Sequence, residues 1–165
     1  MPRSAELKSW SAGMCRPVPG WPTSWWPNVT RLPGVSSAVL DSSAVLALLL
    51  AEPGAEKVRA CLPGGLLSTV NLAEVISKLC ERGMPAEEAR NAVEMIGAEL
   101  VDFDGEQASL VGALRPVTRA AGLSLGDRAC LALGRLRGLP VLTTDAAWGQ
   151  VEGFTITVIR RGVSS

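Results

Sequence analysis

The amino-acid sequence predicts an α/β domain of three layers, in which helices cover both faces of a central parallel sheet. From about residue 35 onward, short apolar segments alternate with longer segments of helical periodicity. Gly and Pro separate these segments. This alternation is typical of a parallel sheet, because parallel strands need crossover connections that pack helices on the sheet. The length of 165 residues suits one compact domain with its own core.

Five short segments rich in Val, Leu and Ile are predicted to be strands. They are "SAVLD" at 37–41, "GLLSTV" at 65–70, "ELVDFD" at 99–104, "LPVLTT" at 139–144 and "FTITVI" at 154–159. The segments between them carry apolar residues at helical spacing. Helices are therefore predicted at 43–52, 55–62, 71–83, 85–98, 105–121 and 126–138, with a kink or break at Pro116.

The first 34 residues differ from the rest and are treated as a separate segment, with the folded domain at 35–165. They contain four of the five Trp and six of the eleven Pro, without hydrophobic periodicity. Because Pro fixes φ and removes a hydrogen-bond donor, this composition disfavours both helices and central strands. Two interpretations stay open: a disordered or loosely docked extension, or a translation start placed upstream of the functional one.

The composition excludes several classes of function. The chain contains no His, which excludes Ser-His-Asp and Cys-His catalysis and His-ligated zinc. Lys plus Arg and Asp plus Glu are both 16, so there is no overall basic field for nucleic acid. The four Cys are far apart and no apolar run approaches the ~20 residues of a membrane span, so we expect a cytoplasmic protein that does not contact a membrane.

Four acids follow predicted strands or lie at predicted helix N-termini. Asp41 ends the first strand, and Asp145 directly follows "VLTT". Glu74 and Asp127 are placed in the first turns of the helices at 71–83 and 126–138. Because the carboxyl ends of parallel strands share one edge of a sheet, where ligands bind, we expect the four carboxylates to converge in one cleft there.

Each acid also has a purely structural interpretation. Asp41 and Asp145 fit N-caps, and Asn71-x-x-Glu74 and Ser124-x-x-Asp127 resemble capping boxes. Taken together, the four are less easily explained as caps. Two carboxylates ~5 Å apart repel by roughly 3 kcal/mol at an effective dielectric of 20. Mg²⁺ or Mn²⁺ is the natural counter-ion of an all-oxygen site, and it supports hydrolysis by water.

Four motifs resemble those of the PIN domain family, in particular the VapC-like toxins of bacterial toxin–antitoxin pairs. They are "VLDSSAVLALLLAEPGAE", "STVNLAEVISKL", "GLSLGDRACLALG" and "LPVLTTDAAW", which occur in order over roughly residues 36 to 160. The resemblance implies an α/β/α PIN-like fold and a Mg²⁺- or Mn²⁺-dependent endoribonuclease. It implies as partners an RNA substrate, a cognate antitoxin protein and a second copy of the chain.

The resemblance also implies roles for particular residues. Asp41, Glu74, Asp127 and Asp145 would be the metal-binding and catalytic acids. Thr143, and Ser42 as a further candidate, would support them by hydrogen bonds. Trp148 matches an aromatic position of the family, although core packing is the preferred explanation of a Trp there.

A different class of function stays open, namely a catalytically weak PIN-like domain that serves as an RNA- or protein-binding scaffold. RNA cleavage assayed with and without Mg²⁺ distinguishes the two. A phosphotransferase of the haloacid-dehalogenase type would need a second acid two residues after Asp41, and Ser43 occupies that position.

Overall fold

The computed structural model describes residues 37–159 and contains a five-stranded, entirely parallel sheet. The strand order is β3-β2-β1-β4-β5. The strands are β1 (Val39–Leu40), β2 (Leu66–Ser68), β3 (Glu99–Val101), β4 (Val141–Thr143) and β5 (Ile156–Val158). The predicted α/β fold with a central parallel sheet is confirmed.

Seven α-helices and one 3-10 helix connect these strands within the described residues. The helices are α1 (Ser42–Leu49), α2 (Ala55–Cys61), α3 (Thr69–Glu81), α4 (Ala86–Met95), α5 (Gly105–Ala113), α6 (Arg115–Thr118) and α7 (Leu125–Arg137), and the 3-10 helix is Ala146–Gln150. The predicted helix at 105–121 is divided into α5 and α6, with Pro116 in the first turn of α6. Pro is tolerated there, since the first-turn N–H groups have no intrahelical acceptor.

Alternating strand residues fill two hydrophobic cores, one on each face of the sheet. Leu40, Leu67 and Leu142 are buried in a core shared with α1 to α4. Their neighbours Val39 and Val141 are buried on the opposite face with α5, α7 and the side chain of Trp148. This alternation is the two-residue period of a strand, and it makes the domain three-layered. Trp148 is fully buried, as the packing interpretation predicted.

One boundary prediction was wrong and affects the site. The strand predicted at 65–70 ends at Ser68, and Thr69 and Val70 are the first residues of α3. The side-chain oxygen of Ser68 accepts a hydrogen bond from the amide of Val70, which begins the helix two residues before Asn71. Thr69 and Val70 are β-branched, which favours a strand, but the Ser68 cap outweighs this preference. Glu74 consequently lies in the second turn of α3.

The strand order creates a crevice between β1 and β4 at the carboxyl edge of the sheet. The chain proceeds outward from β1 through β2 to β3 and then returns to place β4 on the other side of β1. The connections after β1 and β4 therefore lead away in opposite directions, which is the arrangement that opens a ligand crevice in parallel sheets. Asp41 directly follows β1, and Asp145 comes two residues after the end of β4.

Replacing Gly134 with alanine is expected to destabilise the domain by up to about 2 kcal/mol. A Cβ on this residue of α7 would lie 2.6 Å from Cγ2 of Val141 and 3.2 Å from the carbonyl oxygen of Leu139. The strain of overpacking, about 1–3 kcal/mol, exceeds the helix propensity gained over glycine, about 1 kcal/mol. Gly112→Ala is the matched control, because nothing lies within 4 Å of its Cβ position. Urea denaturation should show the control to be the more stable variant, and equal stabilities would contradict this packing.

None of the described helices has the length and apolarity needed to cross a membrane. The Pro- and Trp-rich segment at 1–34 lies outside the described residues, so its two interpretations stay predictions.

Candidate active site

Asp41 is buried at the start of α1, and one of its two carboxylate oxygens has no partner. The residue is 3% exposed. Its Oδ2 accepts hydrogen bonds from the hydroxyl and the amide of Ser43 and from Oγ1 of Thr143, the last at 3.0 Å. Its Oδ1 is buried and has no hydrogen-bond partner among the described residues. Asp41 is thus the N-cap of α1, as its structural interpretation predicted, but capping uses only one of its oxygens.

Burial raises the pKa of Asp41 from 3.8 to about 6. The negative charge of Asp127 contributes to this rise, while the hydrogen bonds from Ser43 and Thr143 limit it. The rise prevails because desolvation disfavours the charged form by more than these donors stabilise it. At neutral pH the folded protein therefore holds an ionised carboxylate whose environment favours the neutral acid.

Asp41 is expected to destabilise the metal-free protein less and less as the pH falls from about 7 to about 4. The folded-state pKa of Asp41, about 6, exceeds the reference value of 3.8, so the folded state binds the proton more tightly than the unfolded chain. The loss of folding free energy caused by ionised Asp41 is complete above pH ~6 and disappears below pH ~4. Two pKa units correspond to about 3 kcal/mol. Urea denaturation in chelator gives the free energy of unfolding at each pH. The contribution of Asp41 is the difference in its pH dependence between the wild type and Asp41→Asn. Parallel curves for the two proteins would contradict it.

The side chain of Glu74 is held by a hydrogen-bond chain that joins three helices. Oγ of Ser42, the first residue of α1, donates to Oε2 of Glu74 at 2.9 Å. Nδ2 of Asn71 donates to Oγ of Ser42 at 2.9 Å and to the carbonyl oxygen of Gly126 at 3.3 Å. The hydrogen bond that the resemblance implied for Ser42 is present. The proposed capping box between Asn71 and Glu74 is wrong, because both residues lie inside α3.

Asp127 is the third residue of α7 and forms a capping box with Ser124. Its Oδ2 accepts from the amide of Ser124 at 2.7 Å, and its own amide donates to Oγ of Ser124 at 3.1 Å. The structural interpretation of Asp127 is therefore correct. Its negative charge is nevertheless one of the causes that raise the pKa of Asp41.

The charges of three of the four acids act on one buried group, the thiol of Cys130. Burial raises the pKa of this thiol well above its usual value, and the charges of Asp41, Asp127 and Glu74 raise it further. Cys130 is a buried residue of α7, about one turn after Asp127. We call Asp41, Glu74 and Asp127 the acid cluster.

Asp145 lies at the same edge of the sheet but is exposed. Its Oδ1 accepts from the amide of Ala147 at 2.8 Å, which makes it the N-cap of the 3-10 helix. Its amide donates to Oγ1 of Thr143 at 3.1 Å, and Thr143 in turn donates to Asp41. Thr143 therefore links the connection carrying Asp145 to the acid cluster. The predicted support of an acid by Thr143 is present in the geometry, and the catalytic roles of these residues stay predictions.

The acid cluster suits a hard cation that keeps some of its waters better than a cation bound entirely by protein side chains. No lysine or arginine between residues 37 and 159 forms a salt bridge with Asp41, Glu74 or Asp127. The donors are carboxylate oxygens, and Oδ1 of Asp41 is free to accept a ligand. Within that same range, no three acidic or thiol side chains are close enough to bind one ion directly. Mg²⁺ usually keeps several waters and binds through one or two carboxylates, so the residues fit it.

The fold and the site together define an α/β domain with carboxylates gathered at the carboxyl edge of a parallel sheet. The chain belongs to the PIN domain family, whose model matches residues 38–153. The comparison with curated proteins gave no match.

Solved structures with a similar fold include three complexes. A toxin–antitoxin complex from Klebsiella pneumoniae has a TM-score of 0.61 at 20% identity, covering 76% of this chain and 99% of its own. DNA-bound VapBC from Salmonella typhimurium has a TM-score of 0.58 at 20% identity, covering 74% and 97%. VapBC2 from Rickettsia felis, bound to a promoter DNA fragment, has a TM-score of 0.58 at 13% identity, covering 73% and 96%. At these identities the likeness establishes the fold.

Proposed function

We propose that this protein is a Mg²⁺- or Mn²⁺-dependent endoribonuclease that hydrolyses phosphodiester bonds of RNA. The observation that carries the proposal is Oδ1 of Asp41, a buried carboxylate oxygen without a partner, beside the charge of Asp127. Crowded carboxylates without basic partners are costly to a fold that gains nothing from them. A bound divalent cation would offset the repulsion between the carboxylates and would explain why they lie close together.

Each acid has a distinct part in this proposal. Asp41, Glu74 and Asp127 would hold the cation, one or two of them directly and the rest through its bound waters, and Asp145 would join from the rim. A bound divalent cation supplies acidification of water and neutralisation of charge on phosphate oxygens. Ser43 and Thr143 occupy Oδ2 of Asp41 and leave Oδ1 as the oxygen available to a ligand. Without histidine in the chain, no imidazole is available to act as the general base.

We also propose that the protein is the toxin of a toxin–antitoxin pair and acts in the cytoplasm. Support comes from the similarity of its fold to complexes described as toxin–antitoxin and VapBC assemblies. In this role it would form a homodimer and would be inhibited by a cognate antitoxin. Cytoplasmic RNA would be the substrate.

Incubation of the purified protein with RNA, in Mg²⁺ and in chelator, tests the proposed chemistry. We expect cleavage only in Mg²⁺, and no 2′,3′-cyclic phosphate on the products, since water rather than the ribose 2′-hydroxyl attacks. Cleavage that persists in chelator would contradict the proposal. Binding of RNA without cleavage in either condition would instead favour the scaffold function.

A further inference from the structure

We propose that Asn71 is a positioning residue that fixes the carboxylate of Glu74 for cation binding. Asn71 is fully buried, so it cannot contact an RNA substrate itself. It acts through Ser42, whose hydroxyl forms the hydrogen bond to Glu74. The part of this inference that concerns the cation rests on the proposed function. The part that concerns the position of Glu74 does not.

Asn71 connects the three helices that carry the acid cluster. It belongs to α3, together with Glu74. Its Nδ2 reaches Ser42 next to Asp41 in α1, and the carbonyl of Gly126 next to Asp127 in α7. This one side chain, in the first turn of α3, therefore ties that helix to the N-terminal turns of α1 and α7.

The direction of the hydrogen bonds is fixed by chemistry. A backbone carbonyl can only accept, so the amide nitrogen of Asn71 must face Gly126. The same nitrogen donates to Ser42, which leaves the hydroxyl proton of Ser42 for Oε2 of Glu74. Asn71 thus keeps Ser42 oriented as a donor to the carboxylate.

The side-chain amide of Asn71 is satisfied on its donor side only. Oδ1 of Asn71 is buried without a hydrogen-bond partner among the described residues. An unsatisfied buried acceptor is destabilising, and an apolar residue inside α3 would avoid it. An asparagine at this position is explained if its Nδ2 is needed to keep Ser42, and through it Glu74, in place.

Gly126 leaves room for the same carboxylate. A Cβ at this position would lie 2.5 Å from Oε2 of Glu74. The absence of a side chain lets the carboxylate lie against the first turn of α7. Alanine there would push Glu74 away and leave the carbonyl that Asn71 contacts in place.

The test compares the affinity for Mn²⁺ of Asn71→Ala, Ser42→Ala and Gly126→Ala, measured by titration calorimetry at pH 7. Val75→Ala is the matched control, because it opens a cavity one turn further along the buried face of α3 and removes no hydrogen bond. Loss of an outer hydrogen-bond partner typically weakens metal binding about 10- to 100-fold. We expect a loss of this size for the three test variants and a change below about 3-fold for Val75→Ala. Melting temperatures in chelator accompany each titration, and Gly126→Ala should fold at least as stably as wild type, since alanine favours a helix.

Two further measurements make the outcome decisive. Asn71→Ala combined with Ser42→Ala should bind Mn²⁺ no more weakly than either single variant, because both belong to one hydrogen-bond chain. Wild-type affinity in Asn71→Ala, or an equal loss in Val75→Ala, would overturn the proposal. If the wild type itself binds no Mn²⁺, the proposed function fails. The positioning role is then judged by metal-free crystal structures of Asn71→Ala, or of Ser42→Ala if the first does not fold, in which an unmoved Glu74 would refute it.

Discussion

Asp41→Asn is expected to reduce Mg²⁺-dependent RNA cleavage by at least about 100-fold and, in chelator, to raise the melting temperature or leave it unchanged. The substitution removes one negative charge and keeps the shape of the side chain. Activity falls because the free Oδ1 is, on this account, the principal contact with the cation. Mg²⁺ should also stabilise the variant less than the wild type, because ligand-induced stabilisation follows affinity.

The stability half of this prediction follows from the raised pKa of Asp41, about 6. At pH 7 the folded protein bears the cost of ionising a buried acid, up to about 3 kcal/mol. An asparagine has no charge and therefore no such cost, and its side chain remains a good N-cap for α1. Thermal melts of both proteins in chelator measure the difference.

Two outcomes would contradict the assignment of Asp41 in different ways. A variant that cleaves RNA at the wild-type rate would show that Asp41 is a cap and not a catalytic residue. A variant that loses activity and is also much less stable in chelator would show that the carboxylate is mainly structural.

Asp145→Asn is expected to reduce cleavage by at least about 10-fold, whereas Asp104→Asn should stay within about 2-fold of wild type. The two aspartates form a matched pair. Both are exposed N-caps, and Oδ1 of Asp104 accepts from the amide of Gln107 at 2.9 Å. They differ in position, since only Asp145 is linked through Thr143 to Asp41.

A change in helix capping cannot cause a difference between these two variants. Asparagine caps about as well as aspartate, so both substitutions should change the free energy of unfolding by less than about 1 kcal/mol. Cleavage rates and melting temperatures are measured on the same preparations. Equal activity in Asp145→Asn and Asp104→Asn would reduce Asp145 to a cap and remove it from the proposed site.

The layers of the fold and the placement of the acids could be predicted because they depend on local patterns. The apolar runs before Asp41 and Asp145 are buried on both faces, and such runs are typical of parallel strands. Once the sheet is parallel, every residue that follows a strand lies at the same edge. Helix boundaries were less predictable, since the β-branched pair Thr69 and Val70 continues the strand pattern while the hydroxyl of Ser68 caps α3.

The hydrogen-bond partners of the acids could not be predicted, because they come from distant parts of the chain. Oγ of Ser43 contacts both Asp41 and Thr143, 100 residues away in sequence. Asn71 reaches Gly126, 55 residues away. A serine after an N-cap and an asparagine near a strand end are common, so neither has a signal of its own. Only the packing of α1, α3 and α7 shows that Asn71 is a donor to Ser42 rather than a cap.

A crystal structure of the wild-type protein soaked in MnCl₂ is the decisive experiment for the proposed cation site. We expect anomalous density for Mn²⁺ beside Oδ1 of Asp41, facing Glu74 and Asp127. Mn²⁺ bound only elsewhere on the protein, or an ordered water beside Oδ1 with no metal at saturating Mn²⁺, would contradict it.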